Sequence, residues 1–149
     1  MSPSEDFVWV DPLYLDASAL VKLFVQEAES DSLNEALLGA RGVILSDLAL
    51  TEMASALGRR TREGTLTPLQ ANRLHREALK LATSCRHVEL TPPVHRRAEK
   101  LLLSTPMPIR ALDALHLATA LESGAATIVT FDQNLRDVAA SQGLFVAPA

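Results

Sequence analysis

Cysteine is all but missing from this sequence. Cys85 stands alone, so no internal disulfide can form, and it reads as an inert side chain in or near the core. No stretch approaches the ~18 uninterrupted apolar residues of a membrane-spanning helix, and aromatic residues are few. The N-terminus has no basic segment leading into an apolar run, which excludes a recognisable signal peptide and leaves a cytoplasmic location as the default expectation. Internal repeats and low-complexity linkers are absent too, so 149 residues are expected to make one domain over 1–149. The formal charge of −4 argues against nonspecific nucleic-acid binding by bulk electrostatics.

The distribution of charge is more informative than its sum. Residues 1–58 carry ten acids against Lys22 and Arg41, residues 59–110 carry eleven bases against four acids, and residues 111–149 carry four acids against Arg136. The basic block is either a solvated helical surface or a face that contacts RNA or an acidic partner beside an acidic pocket.

Leu and Ala dominate the apolar residues and favour a helix-rich chain. After a short tail to residue 11, Leu13–Asp16 reads as a buried strand and Ser18 as the cap of a helix through Phe24. A second helix is expected over about Ser30–Leu38, then a turn between Gly39 and Gly42. Val43–Ser46 is the next strand, with Ser46 or Asp47 capping a helix to about Arg62. Thr67 before Pro68 starts a helix to about Thr83. Val88–Leu90 is a third strand, Thr91-Pro-Pro opens a helix to about Ser104, and Pro106 and Pro108 form a rigid bridge. A helix over Arg110–Glu122 follows, then a strand Ala126–Thr130, a helix Gln133–Ser141 stopped by Gly143, and a last strand Leu144–Ala147. This alternation implies an α/β fold with a mainly parallel sheet covered on both faces, where ligands collect beyond the carboxyl ends of the strands.

The helix Arg110–Glu122 is apolar almost all round and should be buried, yet it carries Asp113. A buried ionised carboxylate is costly unless paired or metal-bound. As an isolated residue, Asp113 is a first-turn acid favoured by the helix dipole and by Arg110. Asp16 and Asp132 follow strands and serve equally well as helix caps. Glu52 falls off the main stripe of its helix, formed by Ala49, Leu50, Met53, Ala54 and Leu57, and periodicity alone makes it a surface residue. His116 shares a line with Asp113 at i+3, where a polar role beside the acids outranks metal ligation, since no further ligand has supporting spacing. His75, His87 and His95 read as surface residues, and so does Glu27, although it lies near enough to the end of the first helix to reach the pocket. Clustered carboxylates with oxygen-only chemistry favour Mg²⁺ or Mn²⁺ over zinc, because a divalent cation offsets the repulsion that would otherwise raise their pKa values.

Four stretches together resemble the PIN-domain ribonucleases, and among them the toxins of VapBC-type toxin–antitoxin pairs. They are Tyr14-Leu-Asp-Ala-Ser-Ala-Leu-Val-Lys22, Leu48-Ala-Leu-Thr-Glu-Met53, Arg110-Ala-Leu-Asp-Ala-Leu-His-Leu-Ala-Thr-Ala120 and Val129-Thr-Phe-Asp132. The resemblance implies a three-layer α/β/α sandwich with a roughly five-stranded sheet. It also implies an acidic pocket of Asp16, Glu52, Asp113 and Asp132 holding one or two Mg²⁺ or Mn²⁺ ions, with the hydroxyls of Ser18 and Thr130 beside it. It further implies hydrolysis of a structured RNA such as tRNA or rRNA, a homodimer, and inhibition by an antitoxin protein. Arg59, Arg60 and Arg62 are candidates for holding the RNA backbone. Two alternatives remain: a non-catalytic binding module, and a phosphatase-like hydrolase with an Asp nucleophile. The second wants another Asp two positions on, where this chain has Ser18. A receiver-like domain would want a late Lys, and residues 126–149 have none.

Overall fold

The computed structural model describes residues 9–148, so most of the expected N-terminal tail lies outside the described residues. The elements run β1 (Leu13–Leu15), α1 (Ala17–Phe24), α2 (Ser30–Leu37), β2 (Val43–Ser46), α3 (Asp47–Arg62), α4 (Pro68–Ser84), β3 (Arg86–Val88), α5 (Pro92–Ser104), α6 (Ala111–Glu122), β4 (Thr127–Val129), α7 (Gln133–Ser141) and β5 (Phe145–Ala147). All four strand pairings are parallel, in the order β3-β2-β1-β4-β5. Helices α1 to α4 bury their apolar faces on one side of the sheet and α5 to α7 on the other, each side with its own core cluster. The fold is a three-layer α/β/α sandwich. None of the described helices is long and apolar enough to cross a membrane.

The strand order fixes where a site can form. From central β1 the chain builds outward through β2 and β3, then returns to the other side of β1 with β4 and β5. Crevices open beyond the carboxyl ends of the strands at such a reversal. Asp16 follows β1 and Asp132 lies three residues past the end of β4, so both carboxylates stand at this crevice.

Local chemistry sets several boundaries. Thr67, Pro68 and Gln70 form a reciprocal capping box at the start of α4, as their spacing predicts. Of the two candidates before α3, Ser46 is the cap, its Oγ accepting from the Ala49 N–H. The first helix is capped by Asp16 and not by Ser18, because the chain turns helical at Ala17 and the Asp16 carboxylate accepts from the Ala19 N–H. The third strand is Arg86–Val88 rather than Val88–Leu90. It is an edge strand held to β2 by backbone pairing, and its side chains are exposed or half-buried, so apolar content is a poor guide to its register. Gly143 ends α7 at φ +86°, a conformation other residues rarely adopt.

Candidate active site

Asp113 is buried, 6% exposed, in the first turn of α6, where buried residues surround the helix as its sequence predicts. Asp16 is 4% exposed and fully engaged. Its Oδ1 accepts from the Ser18 hydroxyl at 2.7 Å and the Ala19 N–H at 2.9 Å, and its Oδ2 from the Thr130 hydroxyl at 2.5 Å. Thr130 Oγ1 in turn accepts from the Asp132 N–H, so one buried hydroxyl joins the ends of β1 and β4. Asp132 caps α7 through Oδ1, and its Oδ2 shares the Arg110 guanidinium with Asp113 at 3.3 and 3.4 Å. Glu52 points at α6 from mid-α3 and meets His116 Nε2 at 2.5 Å, while His116 Nδ1 lies 2.6 Å from the Tyr14 hydroxyl.

The three aspartates, Ser18, Thr130 and Arg110 thus form one hydrogen-bonded network, and Glu52, His116 and Tyr14 a second. The two lie close enough for His116 to act electrostatically on Asp16 and Asp113. Glu52 is half-buried, with 28% of its side chain exposed, which corrects the surface placement that helical spacing suggests. The carboxylates do not yet converge on a single point. Among the described residues, no group of three or more His, Cys, Asp or Glu side chains is placed to hold a metal ion as it stands.

Similarity to known proteins shows the family of the chain. A family profile described as PIN domain matches residues 13–141. The chain belongs to the PIN domain family. This PIN domain is 32% identical over 142 residues to Ribonuclease VapC46 of Mycobacterium tuberculosis H37Rv, covering 90% of this chain and 95% of the relative, which places it with the VapC ribonucleases. Its fold matches the crystal structure of M. tuberculosis VapC20, described as a sarcin-ricin loop cleaving toxin, with a TM-score of 0.70 at 19% identity over 89% of this chain and 96% of that one. It also matches VapBC2 from Rickettsia felis, bound to a DNA fragment from their promoter, with a TM-score of 0.63 at 15% identity over 90% and 96% of the two chains.

Beside the acids the PIN domain opens a cavity of about 530 Å³, lined in part by Lys22, Glu27, Glu52, Arg59, Arg60 and Phe131. Glu27 is half-buried in this wall, not a free surface residue. It accepts from Lys22 at 2.9 Å and from Arg60 at 2.6 Å, and Lys22 also reaches Glu29 and lies 4.8 Å from the centre of the Phe131 ring. Arg60 is thus committed to Glu27, and Arg62 lines a separate groove between α3 and α4. Of the three arginines proposed for an RNA backbone, Arg59 alone is both exposed and on this cavity. His87 and His95 are exposed, and His87 pairs with Asp47. His75 is half-buried, with Nε2 3.3 Å from the Leu50 carbonyl, so it is less a surface residue than its sequence suggests. Tyr14 and Lys22 bound the first family-like stretch without a part in the site that the resemblance implies, and Ser46 reads only as a helix cap in the sequence. The one available signal was Tyr14 itself, a lone phenol in an otherwise aliphatic strand, whose buried hydroxyl must find partners.

Burial raises the carboxyls of both Asp16 and Asp113 above the ordinary range, and the charge of Asp132 pushes Asp113 further. For Asp16, burial outweighs the opposing effects of His116, Thr130 and Ser18. A carboxyl raised in the native state binds its proton there first. Its ionised form therefore weakens the fold above that value, and stability is regained as pH falls through it toward the unfolded value near ~3.9. Glu27 has the opposite sign. Burial would raise it, but its hydrogen bonds from Lys22 and Arg60 hold it low, so its contribution is lost only below the ordinary Glu value of ~4.3. The melting temperature in chelator is therefore expected to rise as pH falls from neutral toward the ordinary Asp value of ~3.9, with the loss from Glu27 setting in only below ~4.3. Thermal melts across that interval check this, and a falling curve would contradict the burial argument.

Proposed function

We propose that the protein is a divalent-metal-dependent endoribonuclease and the toxin of a VapBC-type pair. The observation that carries the reading is the gathering of Asp16, Asp113 and Asp132 beyond the carboxyl ends of β1 and β4, with Glu52 turned toward α6 by His116. Membership of the VapC ribonucleases at 32% identity supports it. The donor set suits Mg²⁺ or Mn²⁺: hard carboxylate oxygens, two of the acids buried, and a largely exposed Arg110 guanidinium as the ion-pair partner of Asp113 and Asp132. When bound, such an ion polarises the phosphodiester and makes water a better nucleophile.

The chain's own residues have distinct parts in this scheme. Asp16, Asp113 and Asp132 would hold the ion, the last two being the pair that Arg110 now bridges. Ser18 and Thr130 keep the Asp16 carboxylate in a fixed orientation. Glu52, on the cavity side, binds the ion or orients the attacking water, and Arg59 takes an adjacent RNA phosphate. An Asp16 nucleophile is disfavoured, since Ser18 stands where that chemistry wants a second Asp and its hydroxyl is given to Asp16 Oδ1. The same reading includes a tRNA- or rRNA-type target, a homodimer and an antitoxin protein that covers the cavity. The VapBC2 pair among its structural neighbours supports the last of these.

The test is cleavage of structured RNA by the purified protein with Mg²⁺ or Mn²⁺, mapped by sequencing new 5′ ends. Cleavage at a defined position that stops in excess EDTA is expected. Persistence in chelator would overturn the metal requirement. A neighbouring small DNA-binding protein that suppresses cleavage would establish the toxin role.

A further inference from the structure

We propose that Tyr14 and Ser46 are positioning residues for Glu52, acting through His116, whose Nε2 proton they keep aimed at the Glu52 carboxylate. The inference rests on the ribonuclease reading of the pocket. Four polar groups form a continuous file: Ser46 Oγ to Tyr14 Oη at 2.8 Å, Tyr14 Oη to His116 Nδ1 at 2.6 Å, and His116 Nε2 to Glu52 Oε1 at 2.5 Å. Tyr14 and Ser46 are 0% exposed and His116 is 2% exposed, so no competing water reorganises the file.

The file has a definite polarity. Ser46 Oγ accepts from the Ala49 N–H, which leaves its own proton to give to Tyr14. With Tyr14 giving its single proton to His116 Nδ1, the ring carries its own proton on Nε2, facing Glu52. A doubly protonated ring would present the same Nε2–H to Glu52 and turn the Tyr14 proton toward Ser46. The opposite tautomer would set a bare Nε2 lone pair against a carboxylate at 2.5 Å, which is repulsive.

The file also crosses the fold. Glu52 belongs to α3 on one face of the sheet and His116 to α6 on the other, and Tyr14, in the middle of β1, and Ser46, the last residue of β2, complete the file. Glu52 sits on a side of α3 that the apolar stripe does not anchor, so this link is what directs it to the cavity. Partners of this kind commonly change activity 10- to 100-fold.

The test combines imidazole ¹⁵N NMR on the whole protein with kinetics. In the wild type, His116 is expected to be protonated on Nε2, and Tyr14→Phe should shift its Nδ1 resonance. The same variant should lower kcat about tenfold with KM within about twofold. His116→Gln, which keeps an N–H toward Glu52, should retain about tenfold more activity than His116→Asn, which cannot reach it. A wild-type Nδ1–H tautomer, an unchanged kcat in Tyr14→Phe, or equal activity in Gln and Asn variants would overturn the proposal. If the wild-type protein cleaves no RNA, the ribonuclease reading fails, while the tautomer measurement still decides whether the file has this polarity.

Discussion

Asp113→Asn is expected to lower RNA cleavage by about 10³-fold or more while raising the melting temperature by a few degrees, roughly the shift that ~1 kcal/mol gives a chain of this size. The two effects share one cause. Asp113 is buried beside Asp132, and its carboxyl is raised by burial first and by that neighbouring charge second. At neutral pH the folded state therefore holds an ionised group it would rather protonate, which weakens the fold. Arg110 opposes this, but its side chain is 75% exposed and its contacts are 3.3 to 3.4 Å, so the pair contributes little. The first-turn position of Asp113 also helps it, by ~0.3–1 kcal/mol at most exposed sites, yet the net shift remains upward. Asn keeps the shape and removes the charge. It thereby removes the repulsion, and with it the ability to hold a divalent cation. Initial rates with Mn²⁺ and thermal melts in EDTA measure both effects. Activity within tenfold of wild type, or a melting temperature several degrees lower, would mean that Asp113 is a structural anchor instead.

The same contrast between local and distant causes explains what the sequence can reveal. Asp16 and Asp132 are legible because strand–helix alternation alone puts them at strand ends. Asp113 is legible as an acid on a helix with no polar face. Glu52 is legible through the family resemblance and not by spacing, because the residue that draws it inward, His116, lies 64 positions away on the opposite face of the sheet. Ser18 misleads for a related reason. Its hydroxyl is well placed to cap a helix, but it donates to Asp16 and accepts the Phe131 N–H, a contact 113 residues distant. The pairing of Arg60 with Glu27 depends on how the loop after α1 returns to α3, which no spacing rule encodes. Periodicity recovers the layers, and the polar contacts between layers need the fold itself.

Thr130→Val is expected to destabilise the protein by about 2 kcal/mol and to reduce cleavage by roughly 10- to 100-fold. Val preserves the volume and β-branching that β4 and its extension require, so packing changes little. Only the hydroxyl is lost, and Thr130 is 0% exposed. That hydroxyl donates to Asp16 Oδ2 and accepts from the Asp132 N–H. Without it, a buried carboxylate oxygen and a backbone N–H both lose their partner, and hydrogen bonds to charged groups contribute about 1.5–3 kcal/mol. The ion-holding oxygen would also lose its orientation, which accounts for the fall in rate. Urea unfolding of Thr130→Val, Asp16→Asn and the double variant isolates the pair. The penalty of Thr130→Val should shrink by ~1 kcal/mol or more when Asp16 is already Asn, because the interaction with an ionised oxygen is gone. Equal penalties in the two backgrounds would show that Thr130 serves β4 alone and does not support the acidic site.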